Sequence, residues 1–481
     1  MLQGRIQSMN IFTIKEMTIA SLQADLASGN TTSVHLVQTY LERIAAADSK
    51  EGGTNSVLEI NPDALFIAEQ MDMERREEKM RGPLHGLPIL IKDNIDTADG
   101  MHTSAGTFIL ANNFATQDAY IVRQLREAGA IILGKVNMTE WANFMSEPMP
   151  NGFSGRGGQV RNPYGSFDVG GSSSGTGASI ANNLAVVGIG TETSGSILSP
   201  SSSNSLVGIK PTVGLVSRSG IIPIAHSQDT AGPMTRTVQD AALLLQVIAG
   251  RDEADPATLS APSLPDYTTS LQKDGLNGKR LGIDKQTLDS LTPEKRELME
   301  KAFTALREQG AELIEVKVPE ITRESSVLYH EFKHGVNRYL RTVSPHLPAH
   351  TLKEVIEWNR INTETALLHG QDILEEAEKT YGTLKQTDYL QDRLADIRES
   401  RTEGIDRVIA GAELNAIIFP SYYGCDIAAK AGYPSITVPA GYTEAGEPFG
   451  ITFTAGAFEE STLIEIGYSY ECATKHRKAP K

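Results

Sequence analysis

Short apolar runs typical of buried β-strands recur along most of this 481-residue chain, and stretches with helical periodicity separate them. The runs cover residues 87–92, 130–134, 184–189, 280–283, 313–316, 416–419 and 435–438. A helical pattern through Ala119, Val122 and Leu125 lies between the first two runs, and the order strand, helix, strand is typical of α/β layers. We therefore predict one sheet gathered from both ends of the chain, while the length alone also allows roughly three domains.

Helical patterns also predict what surrounds this sheet. Apolar residues recur at three- and four-residue steps over 19–26 and 34–44, which predicts two amphipathic helices before the first strand. From about residue 320 to residue 413 the chain is mostly helical in pattern and rich in charge. We interpret residues 320–413 as a helical insertion.

Charge and composition exclude several classes of function. The net charge is −16, and no basic tract interrupts the acidic balance, so we expect no nucleic-acid partner. Lys15 and Glu16 interrupt any apolar core that a secretory signal would need, and the longest apolar stretches fall short of the roughly 20 residues that span a bilayer. The two cysteines imply neither a disulfide scaffold nor a metal-binding pair. We predict a cytoplasmic protein without a membrane partner.

A glycine- and serine-rich segment, GGSSSGTG at residues 170–177, is the first candidate for chemistry. Gly170 and Gly175 have the spacing of a phosphate-binding P-loop, but Thr176 stands where that loop needs a lysine. The P-loop interpretation therefore fails. A turn-rich structural loop remains the alternative to a catalytic segment.

A second segment, GTETSGS at residues 190–196, follows the apolar run 184–189 and ends in Ser196. A serine among small residues supplies a nucleophile and backbone N–H groups for an oxyanion, but it needs a base. No histidine lies in or beside either segment, so a Ser-Lys arrangement is the natural variant. Lys92 ends a buried strand, where desolvation favours the neutral amine. An ion pair with Asp93 is the structural alternative.

A competing chemistry rests on an H-E-x-x-H pentapeptide. Its candidate zinc ligands are His330, His334 and Glu354, and Glu331 would be the general base. With ten histidines in the chain, such a pentapeptide also arises by chance. On a helix the two histidines would lie away from the apolar stripe, so the structural alternative places them at the solvent-exposed surface.

Three motifs in this order are similar to those of the amidase signature family: GLPILIKDN at 86–94, GGSSSG at 170–175 and GTETSGSI at 190–197. The resemblance covers nearly the whole chain. It implies a single α/β/α domain over residues 1–481, built on a large twisted mixed β-sheet covered by helices, and it implies no cofactor. By position, it makes Ser196 the nucleophile, Ser172 the bridging serine held by a cis peptide, and Lys92 the base.

The resemblance also implies an oxyanion hole and an acyl-enzyme. The backbone N–H groups of Thr193, Ser194 and Gly195 match the family's oxyanion donors, and the acyl group would form on Ser196. Many members carry an arginine where this chain has Leu198, which puts one support of the loop in doubt. The missing arginine argues against the glutaminase subunit of the tRNA amidotransferases.

The stretches after residue 214 look more like the peptide amidase branch, which removes ammonia from C-terminal amides. We therefore expect a small-molecule or short peptide amide as substrate, with an aryl acylamidase or a general aliphatic amidase as alternatives on the same residues. Trp141, Phe144 and Met145 are candidates for an apolar pocket, although such residues are more often plain core. A third hypothesis keeps the fold but uses the groove for binding only. The oligomeric state stays open.

Overall fold

A mixed sheet of eleven strands forms the centre of the computed structural model, which describes residues 13–481. Most of the N-terminal stretch that we judged unlike a secretory signal lies outside the described residues. The strands are β1 (Val57–Ile60), β2 (Pro88–Lys92), β3 (Ile131–Val136), β4 (Phe153–Ser154), β5 (Gly158–Gln159), β6 (Gly188–Glu192), β7 (Val207–Lys210), β8 (Thr230–Thr235), β9 (Arg280–Asp284), β10 (Glu312–Val316), β11 (Ala416–Pro420), β12 (Ser435–Tyr442) and β13 (Pro448–Thr454).

The strand order in the large sheet is β1-β3-β2-β6-β8-β7-β12-β13-β11-β9-β10, and β4 and β5 form a separate hairpin. Strands β3, β2 and β6 are parallel, as are β11, β9 and β10, whereas the pairs between these two groups are antiparallel. The sheet therefore contains strands from both the N-terminal and the C-terminal parts of the chain, as predicted.

Helices surround this sheet. They are α1 (Ile19–Ser28), α2 (Ser33–Ala47), α3 (Ala64–Arg76), α4 (Tyr120–Glu127), α5 (Ser174–Ala181), α6 (Leu198–Ser203), α7 (Val238–Ile248), α8 (Lys285–Asp289), α9 (Pro293–Glu308), α10 (Val327–Leu340), α11 (Leu352–Ile361), α12 (Thr363–Ala366), α13 (Asp372–Glu378), α14 (Thr387–Ile397), α15 (Asp406–Ala412), α16 (Cys425–Ala431) and α17 (Glu460–Thr474). A π-helical stretch, Arg398–Ile405, joins α14 to α15. The predicted α/β fold class is confirmed.

Six of the seven apolar runs coincide with strands of the sheet, namely β2, β3, β9, β10, β11 and β12. The prediction for residues 184–189 is wrong in its bounds, because the strand begins only at Gly188. The Leu184 N–H donates to the Ser179 carbonyl at 2.9 Å and closes the end of α5, while the Val186 N–H donates to the Pro88 carbonyl at 3.2 Å. Residues 184–187 are therefore a buried connection rather than a strand.

Between β10 and β11 the described elements are all helical, in agreement with the pattern from residue 320 to residue 413. Helices α10, α11 and α13 share an apolar cluster with the segment that contains Trp141. That residues 320–413 form an insertion within the domain stays a prediction.

The central strands bring distant parts of the sequence to one edge of the sheet. Strands β2 and β6 run parallel, with Leu90 opposite Gly188 and Ile91 opposite Ile189. Their carboxyl ends, at Lys92 and Glu192, therefore lie side by side. Helix α5 approaches this edge closely, because a Cβ on Gly175 would lie 2.2 Å from the Asn137 carbonyl oxygen.

No helix within residues 13–481 is both long enough and apolar enough to cross a bilayer. The cytoplasmic location stays a prediction.

The buried face of α7 offers a test of the core. We expect Leu245→Ala to lower the free energy of unfolding by about 2–5 kcal/mol, because Leu245 is fully buried and its truncation leaves a cavity. The matched control is Leu394→Ala on α14, where the leucine is 68% exposed and the expected change is below about 0.5 kcal/mol. Urea denaturation of both variants measures the difference, and equal changes would contradict this account of the core.

Candidate active site

Lys92 lies at the centre of the candidate site, at the carboxyl end of β2 and fully buried. Its Nζ contacts four oxygen atoms on the neighbouring segments. They are Ser172 Oγ at 2.8 Å, Ser173 Oγ at 2.9 Å, Thr191 Oγ1 at 2.9 Å and the Thr191 carbonyl oxygen at 3.2 Å. None of these partners is a carboxylate, so the expected alternative of an ion pair with Asp93 is not what holds Lys92. Asp93 instead accepts the backbone N–H of Gly106 at 3.0 Å.

Burial changes the acid-base chemistry of this amine. Removal from water lowers the pKa of Lys92 to about 7, and the negative charges of Glu192 and Asp229 oppose that shift only in part. A neutral amine is therefore well populated near neutral pH, and it can accept a proton.

The GGSSSG segment places Ser172 directly against this amine. The peptide bond between Gly171 and Ser172 is cis, as the family resemblance implied. Ser172 is fully buried, and the Thr139 N–H donates to its carbonyl oxygen at 3.1 Å. The next residue, Ser173, donates its backbone N–H to the Ser196 carbonyl at 3.2 Å, so the two predicted serine segments meet here. Ser196 is 7% exposed, which leaves it open to the surface where Lys92 and Ser172 are not.

Glu192 supports the loop that carries Ser196. Its carboxylate accepts the backbone N–H groups of Gly195 at 2.8 Å, Ile197 at 2.6 Å and Leu198 at 3.0 Å. Burial raises the pKa of Glu192. The nearby Lys210 ammonium and these N–H groups offset only part of that rise. The loop without an arginine at position 198 is therefore held from within by a buried glutamate.

The backbone donors of this loop differ in what they contact. Gly195, one of the three predicted oxyanion donors, gives its N–H to Glu192. Among residues 13–481, none accepts a hydrogen bond from the backbone N–H of Thr193, Ser194 or Ser196. These three N–H groups are free to bind an oxygen atom, and Ser196 was not among the predicted donors.

Two side chains fix the loop from outside. Thr193 donates its hydroxyl to Asp229 Oδ1 at 2.5 Å, and Ser194 donates its hydroxyl to Asp426 Oδ1 at 2.5 Å. Sequence reasoning missed Asp229, because its partner lies 36 residues earlier in the chain. It also missed Ser173 and Thr191 as partners of Lys92, although both stand inside the motifs that were singled out.

The candidate pocket residues lie in a segment that begins beside Ser172. Trp141, Phe144 and Met145 are buried in one apolar cluster with α10. The Phe144 and Phe332 rings are 4.7 Å apart, and the Trp141 and Phe332 rings meet edge to face at 6.1 Å. These contacts form a packed apolar wall between the segment of residues 141–145 and α10.

The H-E-x-x-H residues lie on α10 without converging. His330 Nε2 lies 3.4 Å from Asp388 Oδ2, His334 Nδ1 lies 3.0 Å from the Gly382 carbonyl oxygen, and Glu354 accepts the His350 N–H at 2.7 Å. The solvent-exposed alternative is wrong for His330, which is 1% exposed because it packs beside the Tyr389 ring. Within residues 13–481, no three histidine, cysteine or acidic side chains are grouped to hold a metal ion.

The family model described as amidase matches residues 35–464. A probable amidase of Arabidopsis thaliana is 40% identical over 495 residues, which covers 99% of this chain and 94% of the plant protein.

Solved structures extend the comparison to the fold. The native peptide amidase from Stenotrophomonas maltophilia is 44% identical, with a TM-score of 0.91 over 97% of this chain and 99% of that chain. A peptide amidase in complex with the competitive inhibitor chymostatin is also 44% identical, with a TM-score of 0.91 over 98% of this chain and 100% of that chain.

The arrangement on α10 makes a prediction about zinc. We expect no stoichiometric zinc in the purified protein after dialysis against zinc, because His330, His334 and Glu354 each contact a different partner. Plasma mass spectrometry of the parent and of His334→Ala measures the metal content. About one zinc ion per chain that His334→Ala removes would contradict this expectation.

Proposed function

Because the chain belongs to the amidase family and hydrolyses amide C–N bonds, we propose that Lys92, Ser172 and Ser196 form its proton relay. The observation that carries this proposal is the fully buried Lys92 amine, 2.8 Å from the Ser172 hydroxyl. We infer that this base acts through Ser172, because the next residue, Ser173, binds the Ser196 carbonyl through its backbone N–H at 3.2 Å.

The hydrogen bonds around Lys92 support proton transfer from Ser172 to the lysine amine. The Ser173 hydroxyl donates to the Thr191 carbonyl at 3.0 Å, so toward Lys92 it can only accept. The Thr191 carbonyl also only accepts. A neutral amine has two N–H groups, and these two acceptors satisfy them. The lone pair of Lys92 is then left for one of the two remaining hydroxyl groups, Ser172 Oγ at 2.8 Å or Thr191 Oγ1 at 2.9 Å, and we assign it to Ser172.

The reaction follows from this arrangement. Ser196 Oγ attacks the amide carbonyl carbon, its proton passes to Ser172 Oγ, and the Ser172 proton passes to Lys92 Nζ. When the tetrahedral intermediate collapses, the C–N bond breaks and the relay returns a proton to the departing nitrogen. Water then attacks the acyl group on Ser196 through the same relay, and the carboxylic acid leaves.

The oxyanion in this reaction needs donors that are already in place. We assign the backbone N–H groups of Thr193 and Ser194 to this role, since both lack an acceptor among residues 13–481. The Gly195 N–H serves only when Glu192 releases it, because the two are 2.8 Å apart. The Ser196 N–H is a further donor to the same site.

For the substrate, we propose the C-terminal amide of a short peptide, with ammonia as the leaving group. Two solved peptide amidase structures at 44% identity support this choice, and one of them is a complex with the competitive inhibitor chymostatin. The wall of Trp141, Phe144 and Met145 begins two residues after Thr139, whose N–H binds the Ser172 carbonyl. We place apolar substrate side chains against this wall.

The relay makes a prediction about two variants. We expect Ser196→Ala to abolish ammonia release from an amidated dipeptide, because the acyl group has no acceptor. We expect Lys92→Ala to lower kcat by roughly three powers of ten, as loss of a coupled base generally does. Ammonia release in the presence of EDTA measures both.

The matched control for the lysine is Lys301→Ala, where the side chain is 63% exposed, and it should behave as the parent. Turnover in Ser196→Ala at the parent rate would exclude the relay. Turnover of aryl or aliphatic amides but not of peptide amides would keep the relay and change the substrate.

The pKa of Lys92 predicts how the rate depends on pH. Because the free base is the active form and its pKa is about 7, kcat/KM should rise with pH by roughly tenfold between pH 6 and pH 8. Initial rates in constant-ionic-strength buffers measure the profile. A flat profile across this range would argue against Lys92 as the base.

A further inference from the structure

The turn at residues 224–229 joins the loop of Thr193 to the helices of the 320–413 segment. On the catalytic side, Asp229 Oδ1 accepts the Thr193 hydroxyl at 2.5 Å, and Gln228 Nε2 donates to the Thr193 carbonyl at 3.4 Å. The other oxygen of Asp229 accepts the backbone N–H groups of Ile224 at 3.0 Å and Ala225 at 2.9 Å. One partly buried carboxylate therefore fixes both the shape of the turn and the side chain of Thr193.

On the helical side, the same turn is held by Glu331, the glutamate of the H-E-x-x-H pentapeptide. Its Oε2 accepts the Ser227 backbone N–H at 2.9 Å, and its Oε1 accepts the Tyr389 hydroxyl at 2.9 Å. His226 Nδ1 lies 3.4 Å from the same Oε2. Glu331 is fully buried, so its carboxyl oxygens depend on these partners for their hydrogen bonds.

We propose that the 224–229 turn is a clamp that positions Thr193 as an oxyanion donor, with Asp229 as its positioning residue and Glu331 as its anchor on α10. This inference rests on the proposed function of the loop. The clamp holds Thr193 by its hydroxyl and its carbonyl oxygen, and it leaves the backbone N–H without an acceptor among residues 13–481. A donor fixed in this way does not reorganise when the oxyanion forms, which is the condition for electrostatic catalysis.

The proposal assigns a role to the one sequence motif that the amidase chemistry leaves unused. The pentapeptide brings Glu331 to the turn, while His330 and His334 contact Asp388 and Gly382 on other segments. Through Glu331, the packing of α10 and α14 determines where the turn sits. The helices after β10 therefore influence the oxyanion site through Glu331 and the 224–229 turn, without contacting the substrate.

The test compares two kinds of variant. One kind removes a hydrogen bond of the clamp without changing any charge, and the other replaces a carboxyl group of the clamp by an amide. Thr193→Val removes the hydroxyl and leaves every charge in place, whereas Thr193→Ser keeps the hydroxyl. We expect Thr193→Val and Asp229→Asn to lower kcat by roughly 10- to 100-fold with KM within about twofold, and Thr193→Ser to recover most of the loss. Glu331→Gln should lower kcat by a smaller factor in the same direction.

A peptide aldehyde serves as the second probe, because its adduct with Ser196 carries a tetrahedral oxygen in the oxyanion site. Its affinity should fall by the same factor as kcat in Thr193→Val, which a merely structural effect would not produce. The control is Asp388→Asn on α14, next to Tyr389 but outside the clamp, and it should match the parent. Thermal midpoints within a few degrees of the parent confirm that the variants fold, and Tyr389→Phe replaces Glu331→Gln if that variant does not.

Two results would overturn the clamp, namely an unchanged kcat in Thr193→Val or an equal loss in both Thr193 variants. The proposed function fails in a different way. A parent without turnover, or a Ser196→Ala variant that retains it, would remove the relay itself and the clamp with it.

Discussion

The proposed catalytic site depends on a lysine amine that is held out of water by a sheet and surrounded by oxygen atoms that carry no charge. Ser172, Ser173 and Thr191 satisfy the hydrogen bonds of Lys92 without stabilising its ammonium form as a carboxylate would. The strand that ends at Lys92, the strand that ends at Glu192 and the start of α5 are all placed to maintain this environment. A carboxylate among the four contacts would return the lysine to its charged form and remove the base.

Much of this arrangement is readable from the sequence. The apolar run before Lys92 predicts a strand, and small residues around Ser172 and Ser196 predict loops that other segments can approach closely. Strand β8 was missed because its sequence, TAGPMT, contains the glycine and proline that are typical of turns. It lies between β6 and β7 even though Pro233, opposite Ile189, has no N–H to donate to either.

The hydrogen-bond partners of a buried side chain could not be predicted from the motif that contains it. Glu192 stands inside a recognised motif, yet nothing in the motif indicates that its carboxylate takes three backbone N–H groups of the following loop. The H-E-x-x-H pentapeptide shows the reverse error, in which a local spacing indicates a metal site that the tertiary contacts of His330 and His334 do not form. Leu198 is fully buried, and the Lys210 ammonium opposes the rise in the pKa of Glu192 that burial causes.

The strand order also determines how late in synthesis the large sheet can be completed. Strand β7 completes its pairing only with β12, where Ile209 lies opposite Ile436, so the centre of the sheet waits for a late part of the chain. A nascent chain that ends before β12 contains Lys92 and its contacts in residues 172–191, but it lacks the strands that complete the sheet. Such a chain holds all three residues of the proposed relay before the sheet around them is complete.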